Sequence, residues 1–261
     1  MPAIKRISTS CLLLIVIFTI STSALRTPSI QKTLKKDGYV AVNELPNGNQ
    51  LFFSTTEVSN AQYRAFITYL KTNQRSNDLV IAQVDSAAWT NTFAYNAPYV
   101  NYYFQHTAYD NYPVVNITYE GAQLYCDWLT AQYKNKGYTV KVRLPEADEW
   151  IVAAQGGNSQ NTFGWEGNNL TDKKGNPLAN YKWNMEKAII VSPVNSYQPN
   201  GFGIYNMSGN VAEMLQTKGN HKGGSWLSEQ QYVTVSGDDE YNDITTASPF
   251  IGFRTVIEVS K

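Results

Sequence analysis

The sequence predicts an α+β fold. Three amphipathic helices are read in its first two thirds, and after them come only short apolar runs separated by Asn, Gly and Pro. Residues are 43% hydrophobic and 16% charged, and 18 of the 261 are tyrosine, which suits a turn-rich globular domain and not a disordered chain. No break in composition divides residues 39–261, so one domain is expected there.

The chain opens with a targeting pattern. Lys5 and Arg6 precede an apolar run of ten, Cys11 to Ile20, and Thr22, Ser23 and Ala24 supply small residues for cleavage. Ten residues are too few to cross a bilayer as a helix. Residues 1–24 are therefore read as a removed signal, leaving no integral membrane span. The mature protein is expected to be exported, to the periplasm, the outer membrane or the medium. Residues 25–38 read as a mobile polar lead-in.

Tyr39 to Phe53 alternates apolar and polar residues about Pro46, Asn47 and Gly48, a hairpin pattern. Ser59 and Gln62 have capping-box spacing, and Tyr63, Phe66, Ile67 and Leu70 follow at helical period. Lys71 to Tyr112 has no regular period but many aromatics, so it is expected to pack as a loop against the core. Pro113 to Ile117 reads as a strand. Thr118 caps a second helix with the stripe Ala122, Tyr125, Cys126 and Leu129, ending near Gly137. Val140 to Leu144 is a strand, and Pro145 opens a third helix, Glu146 to Gln155, stopped by Gly156 and Gly157.

Lys and Arg total 21, as do Asp and Glu, so no global field draws nucleic acid or anionic lipid. Phosphate-cradling loops, CxxC pairs and basic aromatic stripes are absent from the sequence. Without the signal, Cys126 stands alone and no intrachain disulfide can form.

Seven short blocks resemble, in order, those of the formylglycine-generating enzyme (sulfatase-modifying factor) family. They are TEVSNAQYRAF at 56–66, YPVVNITYEGAQLYCDWL at 112–129, RLPEADEW at 143–150, FGWEGN at 163–168, GFGIYNMSGNVAE at 201–213, KGGSW at 222–226 and GFR at 252–254. The resemblance implies the family's irregular, C-type-lectin-like α+β fold. Asn96 to Asn116 also resembles gliding-motility and secretion lipoproteins of the GldJ/GldK type, envelope components without the enzyme's cysteines.

The enzymes hold Cu(I) on two thiolates, and the positions that match them here are Ser228 and Val233. A hydroxyl and an isopropyl group cannot replace soft thiolates, so no copper is expected. Ser225 and Trp226 match pocket residues. For calcium, the resemblance implies the Asn206 side chain, the Gly209 and Val211 carbonyls and the Glu213 carboxylate. A second site would use Asn180, the Tyr181 carbonyl, Glu186 and the Ala188 carbonyl. Hard oxygen ligands suit structural Ca²⁺; a tight turn satisfied by Asn206 and Glu213 is the other reading. Asp238, Asp239 and Glu240 are expected to form a solvated acidic loop. Glu146, Asp148 and Glu149 offset a helix dipole.

The leading expectation is an exported, non-catalytic binding or scaffold module with envelope protein partners. The contact surfaces would be Trp89 to Tyr112 and a groove around Trp226 and Tyr232. An oxidoreductase of altered chemistry and a calcium-dependent ligand binder are the alternatives.

Overall fold

The structure, a computed structural model, describes residues 29–92, 95–183 and 190–260. The signal segment read in residues 1–24 lies outside them. In chain order the elements are α1 (Ile30–Lys36), β1 (Tyr39–Glu44), β2 (Gln50–Ser54), α2 (Asn60–Thr72), α3 (Ser76–Ile81) and α4 (Ala97–Tyr102). Then follow α5 (Tyr119–Asn135), β3 (Val140–Arg143), α6 (Ala147–Ala154), β4 (Ala212–Met214), β5 (His221–Lys222), β6 (Ile251–Gly252) and β7 (Val256–Val259).

Two small sheets organise these elements. One is antiparallel in the order β1-β2-β7-β3, so the last strand is inserted between two early ones. The other has the order β5-β4-β6, with β4 and β6 parallel. The C-terminal strands thus close both sheets, and Gly252 to Val256 links them.

The three predicted long helices form where local signals place them. The Ser59 hydroxyl accepts from the Gln62 N–H while the Gln62 side chain accepts from the Ser59 N–H, satisfying two otherwise orphaned donors of α2. Thr118 caps α5 through the Gly121 N–H. Glu146 and Glu149 make a capping box at α6. The apolar faces of α2 and α5 meet through Tyr63, Phe66 and Tyr125, with Phe253 stacked edge-on against both tyrosines.

Two expectations fail here. The supposed mobile lead-in contains α1, which the buried Leu34 anchors and which packs against β1. Pro113 to Ile117 is buried but is no strand: it makes one bridge, Ser59 to Pro113, and then Asn116 turns left-handed at φ 60°. Its apolar run reflects burial alone.

Candidate functional site

The loop from Asn200 to Glu213 is assembled by amides. Asn200 donates to the Ala153 and Ala154 carbonyls at the end of α6 and accepts from the Phe202 and Ile204 N–H groups. Asn206 and Asn210 take left-handed backbone at φ 55° and 67°, which Asn tolerates better than most residues. Gly209 has no substitute here: a Cβ would lie 2.2 Å from the Asn180 carbonyl oxygen.

These turns aim side chains at a buried charged cluster. Arg254 is fully enclosed and holds Glu213 through Nε at 2.6 Å and Nη2 at 2.5 Å, while donating to the Ser54 and Tyr205 carbonyls. Trp150 Nε1 donates to the same Glu213 oxygen as Nε, at 2.7 Å. A second buried carboxylate, Glu57, accepts from Asn206 Nδ2 at 3.2 Å and Asn210 Nδ2 at 2.8 Å. Burial pushes Glu57 up to about 7; Arg254 opposes the rise and Glu213 adds to it.

In this geometry the side chains of the first calcium set have other partners. Both Glu213 oxygens are committed to Arg254 and Trp150, and Asn206 turns its amide to Glu57 and the Val194 carbonyl. Gly209 and Val211 lie on the same loop, but the carboxylate that would complete the ion's shell is already neutralised by a guanidinium. The residues of this set do not fit Ca²⁺. Of the second set, Glu186 and Ala188 lie outside the described residues. The Tyr181 carbonyl accepts the Trp183 N–H at 2.6 Å. Asn180 is different: its Nδ2 is bonded to Ile190 O and Asn210 Oδ1, while its buried Oδ1 has no hydrogen-bond partner. An orphaned hard oxygen is the ligand type that Ca²⁺ takes.

The two positions that match the thiolates of the resembled enzymes lie close together. A Cβ placed on Gly224 would lie 3.2 Å from Ser228 Cβ and 2.9 Å from Val233 Cγ1, so these side chains are no more than about 6 Å apart. Both are fully buried. The Ser228 hydroxyl accepts the Ser225 N–H at 2.7 Å, and Ser225 Oγ pairs with the Tyr241 hydroxyl at 2.7 Å. Val233 packs with Phe163, Trp165, Ala179 and Tyr181. Hydroxyl pairs and an apolar cluster fill the space.

The acidic run is not wholly solvated. Asp238 and Glu240 are exposed, but Asp239 is buried and accepts from the Gly224 N–H at 2.8 Å and the Tyr241 N–H at 2.9 Å. Burial raises it to about 6. The groove at Trp226 is likewise filled. Trp226 is 5% exposed, donates to the Pro249 carbonyl, and belongs to a cluster with Trp89, Tyr103, Val115, Val191 and Val211. The aromatic segment packs against the core as expected, but in doing so it covers the pocket. Tyr95, Tyr102, Trp183 and Leu227 are the large apolar residues left exposed in these regions. His106 lies at the surface and His221 inside the fold, and no group of three potential metal ligands among His, Cys, Asp and Glu occurs among the described residues.

Sequence reasoning overlooked Glu57, Asn210, Arg254 and Tyr241. A carboxylate between apolar neighbours in TEVSN, and an arginine in IGFR, are the available signals, because a buried charge requires a buried partner.

Residues 33–259 match the family described as sulfatase-modifying factor enzyme 1-like domain. The formylglycine-generating enzyme of Thermomonospora curvata is 32% identical over 48% of this chain and 37% of its own length. The inactive C-alpha-formylglycine-generating enzyme 2 of Bos taurus is 34% identical over 39% of this chain and 32% of its own. The matched part thus spans about a third of these curated relatives. Among solved structures, CarF superposes with a TM-score of 0.57 at 21% identity, covering 81% of this chain and 87% of that one, a likeness of fold.

Proposed function

The chain belongs to the sulfatase-modifying factor enzyme 1-like family, and from that premise we propose that it is a non-catalytic member, an exported binding or scaffold module of the cell envelope, of the gliding and secretion type. One observation carries this reading. The two positions where the enzymes hold thiolates are present, adjacent and buried, yet they are Ser228 and Val233, each satisfied by its own neighbours. A relative named as inactive within the same family is consistent with it. The exposed aromatics Tyr95 and Tyr102, on and beside α4, are the anchors of the contact surface in this reading, in place of the filled Trp226 groove. No helix among the described residues is long and apolar enough to cross a membrane.

The test has two arms. Purified protein given Cu(I), oxygen and a cysteine-bearing peptide is expected to form no aldehyde; aldehyde formation overturns the non-catalytic reading. Tagged protein recovered from its native envelope is expected to bring a reproducible partner set that a Tyr95→Ser/Tyr102→Ser variant loses. A blank with the unaltered chain overturns the scaffold reading.

Structural calcium at Asn180 belongs to the same proposal, because the orphaned Oδ1 supplies an oxygen ligand with no other use. Added Ca²⁺ should raise the melting temperature and EDTA should reverse it, whereas Asn180→Ala should respond to neither.

A further inference from the structure

Another buried polar atom without a hydrogen-bond partner belongs to His221. His221 sits in β5, paired with Met214 of β4, and is 3% exposed. Its backbone N–H donates to Asn242 Oδ1 at 2.9 Å, but its ring Nδ1 is buried without a hydrogen bond. His221 lines a small cavity of about 10 Å³ together with Tyr119, Met214, Ile244, Thr245 and Ile251. That volume is at the lower limit for a single water molecule.

We propose that this cavity is a one-water site, in which an ordered water donates a hydrogen bond to His221 Nδ1 and fixes the ring as the neutral tautomer protonated on Nε2. An imidazole nitrogen left unpaired in the interior carries a desolvation cost, and a donor removes that cost. Burial disfavours the charged ring, the backbone at Tyr241 and Gly219 opposes this only in part, and Thr245 and Tyr119 line the cavity. No acidic side chain lines the cavity to stabilise an imidazolium. Burial accordingly lowers His221 to about 4.

Nitrogen-15 spectra of the full chain at neutral pH test the site. The expected result is a pyridine-type Nδ1 resonance displaced toward its hydrogen-bonded position, together with a cross-relaxation peak from a long-lived water to Ile244 or Ile251. A near-atomic crystal structure should place a water within hydrogen-bond reach of Nδ1. A pyrrole-type Nδ1, or a pyridine-type Nδ1 beside an empty cavity, overturns the proposal.

Discussion

Two buried polar regions draw on the segment from Asn206 to Ser228, and they differ in charge. Around Arg254 the interior holds a guanidinium and two carboxylates, bound by three residues distant in sequence. Around Gly224 it holds two serine hydroxyls, a tyrosine hydroxyl, a valine and one carboxylate, Asp239, which backbone N–H groups and no cation hold. The first region joins β4, the β6–β7 link and the start of α2, so its charges hold segments together. The second lies where the family's metal ligands would stand, and its side-chain hydroxyls pair mainly with one another and with nearby backbone. Fold and chemistry are therefore separable here: the charged centre needs its partners for folding, whereas the thiolates can be replaced by neutral groups without breaking a segment contact.

The sharpest way to test that separation is to restore the ligands. Ser228→Cys/Val233→Cys puts two sulfurs within reach of one ion, given side chains no more than about 6 Å apart. Its affinity for Cu(I), read by competition with a chromogenic chelator, should rise by several orders of magnitude over the unaltered chain. No gain would mean that the surrounding hydroxyls and aromatics have closed the site beyond repair.

The charged region should fail in the opposite manner. Arg254→Met removes the cation and leaves Glu213 buried and unpaired, at a cost of about 3–5 kcal/mol. Urea unfolding should show either that loss or no folded protein. A loss near zero would move the fold's anchor elsewhere.

Glu57 gives the comparison a pH axis. Its folded pKa, raised from 4.5 to about 7, means that the native state holds the proton more tightly than the unfolded chain. The stabilisation is complete below 4.5 and is lost as pH rises to 7, an effect of about 3 kcal/mol. Asp239 acts with the same sign between 3.8 and about 6, and His221 with the opposite sign between 6.5 and about 4. The difference between the unaltered chain and Glu57→Gln isolates the Glu57 part. That difference should grow in favour of the variant from pH 4.5 to 7 and then level off. A constant difference across the range would contradict the raised value.

What the sequence disclosed follows from how local each signal is. Ser59 and Gln62 announce α2 because the capping box is closed within four residues. Pro145, Glu146 and Glu149 announce α6 for the same reason. Helix α1 was hidden because one buried residue, Leu34, stands among lysines and polar side chains, and its support comes from β1. Asp239 looked solvated because its two neighbours are charged, yet its partner, the Gly224 N–H, is fifteen residues away. The place of the thiolate positions was legible from motif order. What fills them was not, since the Ser225–Tyr241 pair and the packing of Phe163 on Val233 are made by chain return, which no short window records.

The smallest expected effects lie at the neutral site and the surface. Tyr241→Phe leaves Ser225 Oγ without its 2.7 Å partner in a buried place, which should cost about 1–2 kcal/mol. The Ser228 hydroxyl, 3.3 Å away, can take part of that role and hold the loss to the lower end. Tyr102→Ser removes a half-exposed ring that stabilises little, so its cost should stay within about 0.5 kcal/mol. Thermal unfolding of the two variants side by side therefore ranks the sites. If Tyr102→Ser proves the more damaging, the ring packs against the fold, and Tyr102 would have no claim as a contact residue. If Tyr241→Phe costs nothing, its hydroxyl is dispensable, and the neutral site is held by the packing of Val233 alone.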